Sequence, residues 1–230
     1  MGMDVKMFGW KTKGTAQHEM TERSGAMNGS SAFAGHGLIS GTRVASNLGW
    51  RPVDALMAGD KVLTFDNGMQ TVTEVRRTKL WVGATQIPAH MMPIVIPANV
   101  LGNRVDIHLL PEQGVMVESD AATDAQGDPF AVVAASGLEG YRGIYRETQA
   151  HELEIITLFF AAPQVIYAEG GLLVYCPQAH LALTDMLDTG AQPYDILDEA
   201  ETAFLVECMQ YEDQTSHYRR PGSSAGVAAA

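Results

Sequence analysis

Cysteine is scarce in this chain of 230 residues: Cys176 and Cys208 are the only two, far apart and without CxxC spacing. That excludes a disulfide-stapled miniature domain and a thiolate zinc cluster, and leaves either one disulfide or two half-buried thiols, the commoner state. Basic residues are also short, with 15 Lys and Arg against 27 Asp and Glu for a net charge of −12. No cationic cluster exceeds the pairs Arg76-Arg77 and Arg219-Arg220, so nucleic acid is not expected as a partner, since neutralising phosphates needs a basic face. Long apolar runs are missing as well. The stretch from Ile155 to Pro163 falls well short of a membrane span, and Met1 to Trp10 holds no apolar core of signal-peptide length. Lys6 stands where a myristoylation signal after Gly2 wants Ser or Thr. The expectation is a chain with no membrane partner and no export address, cytoplasmic by default.

The seven histidines (His18, His36, His90, His108, His151, His180 and His217) show neither HxxxH nor HxH spacing, so neither a metal nor any other cofactor is expected. Asp120, Asp124 and Asp128 recur at fours, but the one-three-five ligand pattern of a calcium loop and its closing Glu are missing. A solvated acidic loop is the reading that remains.

What is present is enough apolar material to fold. Hydrophobic residues make up 46% and charged residues 18%, which suits one sizeable domain with extensions or two small ones. Three textures follow one another. Residues 1–32, rich in Gly, Ser, Thr and Met, read as a flexible leader. Residues 33–180 alternate short apolar runs with turns, the pattern of an all-β fold. Residues 181–230 read as a C-terminal extension with one helix and a small-residue tail, Ser223–Ala230.

Asp66-Asn67-Gly68 predicts a hairpin between Lys61–Phe65 and Met69–Val75, because Asn-Gly accepts positive φ at both central positions of a tight turn. Leu80–Val82, Ile94–Ile96, Val115–Val117, Ile155–Phe160 and Val165–Tyr167 supply further strands, with Pro88, Pro93, Pro97 and Pro111 at their borders. Within Asp198–Met209, an acidic first turn precedes Ala200, Phe204 and Cys208 or Met209 at helical spacing, which predicts an amphipathic helix. Trp10, Trp50 and Trp81 read as packing residues, with Trp50 covering a sheet edge.

Several blocks in order carry a resemblance. They are Gly41-Thr42-Arg43-Val44, then Arg51-Pro52-Val53-Asp54-Ala55-Leu56 with Gly59-Asp60-Lys61-Val62-Leu63-Thr64, then Leu109 to Val117, then Thr157–Phe160 with Val165 to Gly170. Together they span roughly residues 37 to 176, about three fifths of the chain. This set resembles the Hint domains, the Hedgehog and intein fold, and especially their bacterial single-domain branch. The resemblance implies an all-β horseshoe of intertwined hairpins and an autoprocessing ancestry. In that family a Cys five residues before the Thr of the Gly-Thr pair attacks the preceding peptide carbonyl, and a block-two His serves the leaving nitrogen.

Here the same positions are Gly37 and Gln113, with Leu110 where a Ser or Thr usually stands. Glycine offers no nucleophile, and glutamine has no proton to transfer near neutral pH. No His-Asn follows Ala168-Glu169-Gly170; Gly171 to Cys176 come next. Ser40 and Thr42 are the hydroxyls nearest the expected attack point, and with Gln113 they are the only catalytic candidates. His36 and His108 lie near the vacant positions, but a one-residue offset on a strand turns a side chain to the other face. The resemblance therefore implies a degenerate Hint domain that scaffolds protein or peptide interaction, with cleavage near residues 37–40 by an unorthodox nucleophile as the alternative. A third reading makes it an accessory of a larger secretion or toxin system.

Overall fold

The computed structural model describes residues 35–82, 86–124, 127–149, 152–178, 194 and 196–218. The predicted leader, the tail Ser223–Ala230, the Leu183–Leu187 segment, Trp10, His18, His151 and His180 lie outside these. All described residues belong to one compact unit, Ala32–Ala230.

Among the described residues the strands run β1 (Leu38–Ile39), β2 (Arg43–Ser46), β3 (Gly49–Pro52), β4 (Lys61–Thr64), β5 (Gly68–Thr71), β6 (Glu74–Leu80) and β7 (Ile94–Ile96). There follow β8 (Ile107–Leu109), β9 (Gly114–Glu118), β10 (Phe130–Ala134), β11 (Tyr145–Arg146), β12 (Leu153–Phe159), β13 (Gln164–Ala168) and β14 (Leu172–Cys176), and then one helix, α1 (Glu199–Tyr218). The molecule is all-β with a C-terminal helix. One sheet has the order β11-β7-β8-β1-β12-β6, and the other runs β10-β9-β14-β13-β2-β4-β5, with β3 added on β2.

The chain passes repeatedly between the sheets. It crosses after β1, after β5, after β8, after β10 and after β12, so each sheet is assembled from distant segments. The crossing after β5 corrects one expectation. The hairpin is present, with Lys61 opposite Thr71 and Thr64 opposite Gly68, but Met69–Val75 is not a single strand. Val72 is fully buried, and Thr73 donates its N–H to the Phe159 carbonyl in the other sheet. The turn differs too: of Asn67 and Gly68 only Gly68 (φ +63°) is left-handed. Residues 65–67 thus form a three-residue connection closed by a left-handed glycine, a common alternative to the two-residue turn.

A second correction concerns Leu80–Val82. The strand β6 runs from Glu74 and ends at Leu80, because Trp81 takes φ +64°, which no strand tolerates. Trp50 lies on β3, an edge strand paired only with β2, and is 37% exposed. Both cysteines are free thiols, Cys176 buried and Cys208 half-buried.

The helix forms where its acidic first turn predicts, capped by a reciprocal pair: Glu201 N–H donates to Asp198 Oδ1 and Asp198 N–H donates to Glu201 Oε2. Of the expected face only Met209 is buried. Thr202, Leu205, Val206 and Met209 are buried, whereas Phe204 is 65% exposed and Ala200 is exposed. The observed set has the i, i+3, i+4, i+7 spacing of a full stripe; the expected one matched a single i, i+4 row. Leu205, Val206 and Met209 join one continuous core with Leu38, Ile94, Leu109, Ile156 and Ile166 from both sheets.

Candidate functional site

The peptide between His36 and Gly37 enters the fold just before β1, which lies between β8 and β12 with Leu38 opposite both Leu109 and Ile156. Buried among these strands, that peptide must place both its polar groups. Its N–H donates to Gln113 Oε1 at 2.7 Å, and its carbonyl accepts from the Thr157 hydroxyl at 2.8 Å. Gln113 is 1% exposed and Thr157 5%. The Gln113 amide has two protons to give, and both are engaged, with the Gly114 carbonyl at 2.9 Å and the Tyr175 carbonyl at 2.8 Å. One side chain thus ties the incoming chain to β9 and β14. Its own backbone is held by Gln113 N–H to Leu110 and by Ala135 N–H to the Gln113 carbonyl.

Gly37 adopts φ +151°, and a Cβ there would stand 2.5 Å from Ile155 Cγ2 and 2.8 Å from Thr157 Oγ1. The cavity around the junction, lined by Gly37, Gln113, Thr157, Tyr175 and Cys176, is only about 10 Å³, the lower limit for one water molecule. Cys176 is the one thiol here, and burial pushes its pKa up to about 12, so it remains protonated and unreactive at neutral pH.

His36 is half-buried with its ring edge-on to Tyr175 at 5.4 Å, and its Nδ1 is buried without a hydrogen-bond partner. Burial lowers its pKa below the ordinary 6.5, against a raising effect of the Glu112 charge. The ring is therefore neutral at pH 7. His108 lies apart on the exposed side of β8, paired with Glu147 at 3.3 Å.

Ser40 lies three residues beyond Gly37, about 10 Å along an extended chain. Its N–H donates to Glu154, and its hydroxyl hydrogen-bonds Asp54, whose carboxylate also accepts from Gly41 N–H at 2.7 Å. That N–H chiefly holds the Asp54 pKa below its usual range, with smaller help from Ser40 and Arg77, which leaves a weak base. Thr42 is 8% exposed and holds the turn through Thr42 N–H to Ile39 and Val53 N–H to the Thr42 carbonyl. Of the three sequence candidates, Gln113 touches the His36–Gly37 peptide, while Ser40 and Thr42 belong to the Asp54 turn. Thr157 was missed. Its signal was a hydroxyl inside the apolar strand Leu153–Phe159, where a buried polar side chain needs a partner.

Among the described residues, no three His, Cys, Asp or Glu side chains gather into a metal-binding group. The acidic loop satisfies its own backbone: Asp128 N–H donates to Asp124 Oδ1 and Phe130 N–H to Asp128 Oδ1.

A family model described as a Hint domain matches residues 36–173. No curated protein matches the chain. Solved structures similar to it include a splice-inactive variant of the AceL NrdHF class 3 split intein, 14% identical, covering 63% of this chain and 99% of that one with a TM-score of 0.40. A bacterial intein-like domain from Clostridium thermocellum is 12% identical, with coverage of 61% and 98% and a TM-score of 0.41. The gp41-1 intein is 16% identical, with coverage of 62% and 98% and a TM-score of 0.38.

Proposed function

The chain belongs to the Hint-domain family, and from that premise we propose that it is a non-splicing member whose processing junction has become a structural joint, the β fold serving as a scaffold for protein or peptide interaction. The carrying observation is the polarity of Gln113. Expelling an amide nitrogen requires a proton delivered to it, but Gln113 presents an acceptor to the Gly37 N–H and spends both its protons on other carbonyls. Nothing at position 37 can attack the acyl group either. Together these contacts stabilise the intact peptide.

One observation favours the alternative, cleavage near residues 37–40: the Thr157 hydroxyl on the His36 carbonyl would also stabilise an oxyanion there. Under that reading Ser40 is the nucleophile or water attacks directly. Intact-mass spectrometry of freshly purified chain separates the two. The scaffold reading expects the full 24.8 kDa chain to persist through days of incubation. A fragment beginning at residue 37 or 40 without added protease overturns it, and Ser40→Ala then tells whether that hydroxyl made the cut.

A further inference from the structure

Outside the junction, a second and smaller apolar cluster forms around Met116, Val132 and Val165, with Phe65, Phe130 and Tyr194 packed against it. Phe65 and Phe130 meet edge-to-face at 4.8 Å. A groove of about 420 Å³ lies over this cluster, walled among the described residues by the β4–β5 turn, the loop leading into β10 and the first turns of α1. Its volume suits a few side chains of a ligand. Phe204, on the α1 wall, is 65% exposed, a large ring left in water beside other aromatic rings.

The charge of the wall has one sign. Asp66, Asp124, Asp128 and Glu201 line the groove, and no Lys, Arg or His does. Asp66 and Asp128 both stand near the Tyr194 hydroxyl, whose pKa is raised first by burial and then by these two carboxylates. Asp66, Asp128 and Glu201 accept hydrogen bonds from neutral groups: the Tyr194 hydroxyl, the Phe130 N–H and the Asp198 N–H. Hydrogen bonds of this kind leave the negative charge uncancelled, and the overall −12 deepens the same field.

We propose that this groove is the docking site of the scaffold, and that its occupant is a Lys- or Arg-rich peptide segment which sets an aromatic or aliphatic side chain among Phe65, Phe130 and Phe204. Aromatic walls favour such an occupant twice, by burying its apolar side chain and by accepting a guanidinium or ammonium over a ring face. The carboxylates fix its charge and discriminate against acidic and neutral segments. This inference rests on the scaffold reading, yet the two fail separately. A self-cleaving chain refutes the scaffold whatever the groove binds, and an intact chain that binds no cationic peptide refutes only the groove.

The test uses the full chain and a fluorescein-labelled dodecapeptide of alternating Lys and Leu, read by anisotropy at moderate salt. The wild type is expected to bind it and to ignore the Glu/Leu and Ser/Leu counterparts. Phe204→Ser, which removes an exposed ring, and the double variant Asp66→Asn with Asp128→Asn are each expected to weaken binding by about tenfold or more, as loss of a central anchor does. Glu152→Gln, on the surface near Lys79 in the other sheet, is the control and is expected to bind as the wild type does. Undiminished binding by both groove variants would mean diffuse attraction to an acidic protein and would overturn the proposal. Failure of the wild type to bind, or equal binding of the Ser/Leu peptide, would overturn it as well.

Discussion

Gln113, at the position where the resemblance implies a histidine, sets which way protons point at the junction. A histidine can hand a proton to a departing nitrogen, whereas the amide of Gln113 accepts from Gly37 N–H and has both its protons engaged by the Gly114 and Tyr175 carbonyls. Gly37 is likewise fixed by its surroundings. Backbone at φ +151° and the approach of Ile155 and Thr157 leave no volume for a side chain, so Gly37→Cys should not restore cleavage. Strained backbone at such a position costs about 1–3 kcal/mol, and the displaced Ile155 adds an overpacking cost of similar size. Urea unfolding should show that loss, and mass spectrometry an uncut chain.

His36 gives a pH signature. Because burial depresses its pKa, the unfolded chain binds this proton more readily than the folded one. The stability it contributes is fully present above the ordinary value of 6.5 and is lost as pH falls through the lower folded value. His36→Phe should flatten this limb, so the stability difference between pH 7.5 and pH 5.5 should be smaller in the variant. An identical difference in both proteins would contradict the assignment. At this scale the sequence pointed to Gly37 and Gln113, which the structure brings into contact. It was silent on Thr157, whose meaning depends on a carbonyl from a segment 121 residues away.

Among the elements, α1 shows how far periodicity carries. Its existence was legible, since an acidic first turn ahead of apolar residues at helical spacing is a local signal. Its buried face was not, because the stripe that packs is chosen by the surface it meets. Leu205→Ala should cost about 2–5 kcal/mol as a core truncation. Phe204→Ala should stay within about 0.5 kcal/mol, as exposed substitutions do. Thermal melts of the two variants check the ranking, which periodicity alone would have reversed. Removing the cap with Asp198→Ala should cost about 1 kcal/mol. The β4–β5 hairpin makes the same point. Asn-Gly marked the turn, but where the second strand ends was decided by Thr73 finding its acceptor at Phe159 in the other sheet.

For the whole molecule, one core joins residues of both sheets and α1, from Leu38 and Ile156 to Val174 and Leu205. Because the chain crosses between sheets several times, neither sheet has a contiguous segment that could separate alone. Equilibrium unfolding should therefore be a single transition, coincident by tryptophan fluorescence and by far-UV circular dichroism. A distinct helical transition would show that α1 is docked rather than integral.

The sequence by itself determined the fold class, the order of the blocks, the presence of the helix and the lack of a heteroatom at Gly37. These depend on residue types and short spacings, which the chain carries locally. Tertiary structure alone decided that the space beside Gly37 is filled by neighbouring side chains, that Gln113 and Thr157 hold one peptide from both ends, and that carboxylates from the β4–β5 turn, the β9–β10 loop and α1 share a groove. Each of those depends on strand pairing between residues far apart in sequence, which no local pattern encodes.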